Sequence, residues 1–399
     1  MAGRDPREVH RVATSLEQLL DLTFVTCFSL AASRLALAVS AGHYTTGLVG
    51  FGLAGFAICW AWINFSWFAS AYDTDDWVFR VVTMAQMVGV LVLALGLPRM
   101  FASLERGERL DNSVMVLGYV IMRVALVFQW LRAARQDPAR RRACLTYAVA
   151  ISIAQIGWVW QIAVHFSTAA AVILGSILAL IELMGPVLAE RHDGGTPWHA
   201  HHIAERHASL AIIALGEGIV GTVAALSAVV DQQGWTADAT LVGIAGTALT
   251  FGMWWLYDLL PSAQILETHR NRAFVWGVGQ ILIVTAIAAT GAGLHVAAYF
   301  IEHQTQISSL ATVLSVALPV GAFLGLTYVL YYYLVRRFKA FQVWLLIGTA
   351  AVVAVAVSAA RSGVSMARCL VVLALAPAVT VVGYEVLGYR HLATVLRTE

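Results

Sequence analysis

"FSWFASAYDTDDWVFR" (65–80) sets three carboxylates, Asp73, Asp75 and Asp76, within four positions, between apolar runs long enough to cross a bilayer. Such a stretch reads as a point where the chain leaves hydrocarbon, turns and re-enters it. A spanning helix needs about 20 predominantly apolar residues. Worked outward from the turn, that rule marks twelve segments: 18–39, 46–68, 78–97, 112–132, 145–163, 169–189, 207–230, 238–257, 274–300, 310–333, 341–358 and 367–388.

Composition agrees. Of 399 residues, 60% are hydrophobic and 12% charged, against about 25% charged in soluble proteins. The fold class expected is therefore all-α, a polytopic membrane helix bundle of about twelve spans. Every connection is short, and the first apolar run shows no cleavage-like site, so it reads as a retained helix. The net charge of +2 is spread between helices and gives no footing for nucleic acid. Cys27, Cys59, Cys144 and Cys369 form no C-x-x-C pair and read as small buried side chains. The single lysine, Lys339, and the lack of G-x-x-x-x-G-K-[ST] exclude a P-loop ATPase and leave little room for Schiff-base chemistry.

Basic residues in short loops orient membrane helices. With the N-terminus inside, eighteen fall on the cytoplasmic side, and five (Arg99, Arg106, Arg109, Arg361 and Arg368) on the other. Both termini are expected in the cytoplasm, in a cell membrane. Three echoes relate the halves: "IELMGP" (181–186) with "YEVLGY" (384–389), "WAWINFSWF…YD" (60–73) with "FGMWWLYD" (251–258), and acidic residues opening helices one and seven. They predict a parallel 6+6 repeat: a half at 1–189, a cytoplasmic linker at 190–206 and a half at 207–399.

In the opening stretch, Asp73 is positioned to cap helix three, with Asp75 and Asp76 in its first turn, where the helix dipole favours negative charge. Arg80 is i+4 to Asp76 and suited to pair with it. Trp60, Trp62, Trp67 and Trp77 include interfacial anchors. The second reading of the turn is a divalent-cation site, since clustered carboxylate oxygens are what such ions bind.

Ionised groups at mid-bilayer cost about 2.5–3.5 kcal/mol even on the gentlest scale. Glu217, in "LAIIALGEGIVGTV" (210–223), stands among Gly216, Gly218 and Gly221, where helices can approach closely or unwind. Arg123, mid-helix, calls for a carboxylate partner, whereas Arg34 can snorkel. Glu17, Asp21 and Glu182 lie toward the cytoplasmic ends of their helices and complete the candidate pathway. Gln155, Gln161, Trp158 and Trp160 offer interhelical hydrogen bonds. In "HAHHIAERH" (199–207), His202 and Glu205 share a helical face and could ligate a metal, although H-E-x-x-H is absent. The alternative is a solvated histidine run at a loop-to-helix junction.

"LEQLLDLTFV" (16–25), "WAWINFSWFASAYDTDDWVFR" (60–80), "HIAERHASLAIIALGEGIVG" (202–221) and "WWLYD" (254–258) together resemble the bacterial low temperature requirement protein A (LtrA) family. Helix one keeps Glu17 and Asp21 but lacks the family's usual aromatic pair, and His207 stands where an aromatic residue is usual. The resemblance implies a multi-pass membrane protein linked by family name to growth in the cold, and supplies no biochemical activity.

The favoured function is a passive or ion-coupled small-solute transporter or channel, its site near Glu217, Asp21 and Arg123. One alternative is an intramembrane enzyme acting on a lipid or isoprenoid phosphate, with a divalent cation at Asp73–Asp76. The other is a non-catalytic scaffold or sensor. Expected partners are the lipid bilayer, an unidentified solute, ion or lipid, and other copies in an oligomer; no further cofactor is expected.

Overall fold

A computed structural model describes residues 3–6, 8, 11–107, 109–164, 166–192, 194–336 and 340–388. Arg7, Arg337, Lys339, Arg390 and Arg397 of the charge count, and Tyr389 of the helix-twelve echo, lie outside the described residues. The helices are α1 (Ser15–Ser40), α2 (Tyr44–Tyr72), α3 (Trp77–Arg106), α4 (Ser113–Gln136), α5 (Arg141–Val164), α6 (Thr168–Ala189) and α7 (Ala200–Gln233). They continue as α8 (Ala237–Asp258), α9 (Ser262–Thr268), α10 (Ala273–Ile301), α11 (Ser309–Val335), α12 (Ala340–Arg361) and α13 (Met366–Gly383). Among the described residues, twelve helices are long and apolar enough to cross a membrane, and no strand forms.

Local chemistry sets the helix starts. Thr14 and Glu17 open α1 with a reciprocal pair: Glu17 N–H donates to Thr14 Oγ1 (3.3 Å), and Thr14 N–H to Glu17 Oε2 (2.7 Å). This is a capping box, which satisfies backbone donors that the first turn leaves without partners. Ser167, Thr236 and Ser308 cap α6, α8 and α11 through their hydroxyls.

Three boundaries differ from the sequence reading. α3 continues past Pro98 to Arg106 and stops at Gly107, whose φ of 70° is left-handed; a proline inside a membrane helix is tolerated where neighbours re-satisfy the freed carbonyl. α7 begins at Ala200, so the histidine run is helical. The short α9 follows α8 after a break at Leu259–Pro261.

The chain divides into two compact units, Met1–Ala31 with Val49–Arg206, and Ala32–Leu48 with His207–Glu399. In the first, α3 and α4 meet backbone to backbone: a Cβ on Gly96 would collide with Met115, and one on Gly118 with Leu93. Trp130 stacks on Tyr147 at 4.1 Å between ring centres, and Phe68 meets Trp130 edge-on at 4.7 Å. Glu190 fastens the segment after α6 by accepting from Tyr147 Oη (2.8 Å), Trp67 Nε1 (3.2 Å) and Thr196 N–H (3.1 Å). In the second unit, Gly293 of α10 lies against the backbone of Ser315 and Val316 on α11. Hydroxyls tie α11, α12 and α13, with Tyr328 to Thr380 at 3.1 Å and Thr380 to Thr349 at 2.9 Å.

All four cysteines are buried thiols outside any disulfide. Trp60 and Trp62 are buried too, so they do not serve as interfacial anchors, while Trp77 is 76% exposed.

Candidate functional site

The first unit holds a chamber of about 430 Å³ between α2, α3, α4, α5 and α6. That size falls within the range of about 300–1,000 Å³ typical of small-molecule sites. Leu53 and Phe56 of α2, Met100 of α3, Met115 and Tyr119 of α4, Trp158 and Gln161 of α5, and Gly175, Ala179, Leu180 and Leu183 of α6 line it. Apart from Asn112, Tyr119, Trp158, Gln161 and Ser176, the lining is apolar, and no ionisable acid or base other than the Tyr119 phenol lies on it. Gly175 makes room: a Cβ there would just touch the Trp158 ring.

Behind Tyr119 and Trp158 lies a buried charge pair. Arg123 Nη2 meets Glu182 Oε2 at 2.8 Å, with both side chains almost fully buried. Tyr119 Oη sits between them, donating to Glu182 Oε2 and accepting from Arg123 Nη2, each at 2.5 Å. Trp158 Nε1 (2.9 Å) and Gln155 Nε2 (3.2 Å) donate to Glu182 Oε1, and the guanidinium lies over the Tyr119 ring at 4.6 Å. The carboxylate thus collects four donors. This matters because a buried charge is tolerated only when paired and hydrogen-bonded.

A second charged group gathers near the start of α1. Asp21 takes a two-pronged bond from Arg206 (2.5 and 2.7 Å) and a third from Trp62 Nε1 (2.7 Å). One turn earlier, Glu17 faces His202 Nε2 at 3.1 Å, and Arg11 lies 3.7 Å from both Glu17 and Asp73. Glu17 and Asp21 are four apart on α1, as are His202 and Arg206 on α7, so each helix brings two groups to one face. Those matching i,i+4 pairs were the available signal for an alignment that the sequence reading missed. His202 is fully buried and His199 nearly so; this corrects the solvated-histidine reading. Glu205 is exposed and accepts from Ala13 N–H (3.4 Å), while His202 turns to Glu17. Among the described residues, no group of three or more His, Cys, Asp or Glu is placed to hold a metal.

The acidic turn is arranged differently from expectation. Asp76, not Asp73, caps α3, accepting from Phe79 N–H at 3.0 Å. It also pairs with Arg132 of α4 at 2.5 Å. Arg80 pairs with Asp75 at 2.8 Å rather than with Asp76, because Asp75 adopts φ 46° and swings its carboxylate back over the helix start. Asp73 Oδ1 accepts from Asp75 N–H (2.8 Å). Hydrogen bonds from Arg132 and Arg80 hold Asp76 and Asp75 below the ordinary carboxylate range. Burial, with Glu17 nearby, raises Asp73 above it. A divalent ion in this turn would compete with three arginines for the same oxygens.

Of the three residues expected to share a site, Asp21 is joined to Arg206 and Arg123 to Glu182. Glu217 belongs to the second unit, where it is buried and its backbone packs on Gly291 of α10. His207, in the same unit, packs its ring on Trp276 at 4.5 Å, filling an aromatic's place with an imidazole.

The family model described as bacterial low temperature requirement A protein (LtrA) matches residues 12–377, and the chain belongs to that family. Family and helices together make it a multi-pass membrane protein. No curated protein and no solved structure matches it.

Proposed function

We propose that this member of the LtrA family is a carrier that binds one small solute in the chamber of its first unit and moves it without ATP. The observation that carries the reading is a ligand-sized chamber backed by the buried Arg123–Glu182 pair. With both termini in the cytoplasm, as the loop charges favour, the ends of α3 and α5 and the starts of α2, α4 and α6 lie on the outer side. The chamber then occupies the outer half of the unit. Tyr119, Arg123 and Glu182 close its inner end. A carrier needs a site near mid-membrane and a barrier that can be remade on either side. Glu182 suits the second need, because its partners come from α4 and α5 while it rides on α6. Displacing α6 would exchange these bonds for water or solute as a set.

Counterflow in proteoliposomes tests this, with a panel of radiolabelled neutral solutes and amphiphiles. Saturable, protein-dependent exchange of at least one compound is expected, and Ala179→Trp, which fills the chamber, is expected to abolish it. Exchange that is absent across the panel, or unchanged in Ala179→Trp, would refute the carrier reading.

A further inference from the structure

The chamber is graded in polarity along its length. At one end, Asn112 precedes α4, Gln161 sits three residues from the end of α5, and Ala171 lies three residues into α6. At the other end, in front of the mutually bonded Tyr119–Arg123–Glu182 group, the lining is Phe56, Ala179, Leu180 and Leu183. At 1.5 Å per residue, Leu183 lies about 22 Å along α6 from its start. The chamber therefore begins near the membrane boundary with amides and finishes in hydrocarbon with aliphatic side chains.

Its wall is open to the side of the bundle. Gly52 and Ser176 are exposed and Leu180 is 62% exposed, although all three line the chamber. Gly52 and Ser176 lie about two turns inside their helices, at a depth where the surroundings are lipid tails rather than water. The opening lies between α2 and α6.

The polar end carries amides and no charge. Gln161 Nε2 donates to the Ala171 carbonyl at 2.8 Å, and a carbonyl only accepts, so the amide orientation is fixed. Its Oε1 is buried and has no partner among the described residues, leaving a hydrogen-bond acceptor at the boundary end. Buried polar atoms of native proteins are nearly always bonded. A ligand hydroxyl is a donor of the right chemistry for this position after a small turn of the side chain. The lining offers an anionic headgroup no cation, and Arg123 behind it is already committed to Glu182.

We propose that the chamber binds an uncharged, single-chain amphiphile from the outer leaflet, such as an isoprenoid alcohol. It enters between α2 and α6, with its hydroxyl at Gln161 and its chain running toward Leu183. This deepens the carrier reading and rests on the same chamber.

The test is thiol protection in lipid nanodiscs with the full-length Ala179→Cys variant, modified by N-ethylmaleimide; the parent chain, whose own thiols are buried, sets the background. Farnesol is expected to slow modification at least tenfold. Farnesene, the matched hydrocarbon, is expected to protect less, and farnesyl phosphate and glycerol not at all. Gln161→Leu in the same background should reduce farnesol protection to the level of farnesene, with an unchanged size-exclusion profile showing that the chain is folded. Absence of farnesol protection would overturn the proposal, as would equal protection by farnesyl phosphate. Protection by glycerol alone would also overturn it, while leaving a carrier of water-soluble solutes intact. A thiol that never reacts would remove the lateral opening and with it the proposal, whereas the carrier reading would still be decided by counterflow.

Discussion

Charges meet inside the first unit, Arg123 with Glu182 and Arg206 with Asp21, and the His202 imidazole meets Glu17. Close glycine contacts occur in both units, but in the second, where Gly221 of α7 faces Gly291 of α10 and Gly293 faces α11, they are joined by hydroxyls on α11–α13 that bond one another. Both solutions bring membrane helices together where water is absent and lipid is as apolar as leucine, so hydrophobic burial supplies little drive. They differ in how they fail. An ion-paired interior is vulnerable to the loss of one member, which strands the other in a low dielectric. A glycine-packed interior is vulnerable to the gain of a few atoms.

The largest expected effect comes from stranding Arg123. Glu182→Leu should destabilise the protein by about 3–5 kcal/mol, the usual result of removing one member of a buried pair. Combining it with Arg123→Met should recover most of that loss. Melting of the detergent-solubilised protein, read as a double-mutant cycle, checks this. Additive losses would show that the pair does not act as a unit. Next, Gly293→Val should cost about 1–3 kcal/mol by overpacking, since its side chain must displace the Ser315 backbone. Gly325→Ala on α11, where a Cβ meets open space, should be neutral or stabilising by up to about 1 kcal/mol. Equal losses in the two glycine variants would break the comparison.

The smallest effect is in the acidic turn, and it has two signs. Asp73 sits above the usual 3.8 because it is buried, so the folded chain holds this proton more tightly than the unfolded one. Stability from that group is lost as pH rises from about 3.8 through its raised value. Asp76 sits below 3.8, mainly through Arg132; its stabilisation is present above that value and lost as pH falls beneath it. Between pH 4 and 7, Asp73→Asn should therefore remove a decline in stability. Asp76→Ala should cost about 1 kcal/mol across that range, as a lost helix cap does. Melting points for both variants along a pH series check the signs.

The twelve spans were legible because length and apolarity are properties of contiguous residues. The turn was legible only in outline: a carboxylate at position 73, 75 or 76 can cap α3, and the choice of Asp76 depends on the φ of Asp75 and on Arg132, 56 residues away. Pairings were less accessible still. Arg123 advertised its need for a carboxylate, but Glu182 is 59 residues off, and hydropathy carries no information about which helix faces which. In the histidine run His201 is exposed, but His199 and His202 were misread because polarity next to a linker looks solvated, whereas His202 meets Glu17 of α1 and His199 N–H meets Ser70 of α2. The chamber had no sequence signature at all. It exists because five helices leave a space, and a space is not a residue.

The distance between Glu17 and His202, and between Asp21 and Arg206, is 185 residues in each case. At roughly 5–20 residues per second of synthesis, the first helix waits about 10–40 s before His202 and Arg206 are made. For that interval Glu17 has the capping box at Thr14 and Arg11 beside it, and Asp21 has Trp62 of α2. The contacts of the first helix with α7 therefore form late in synthesis, and this unit is complete only once the start of its seventh helix has been made.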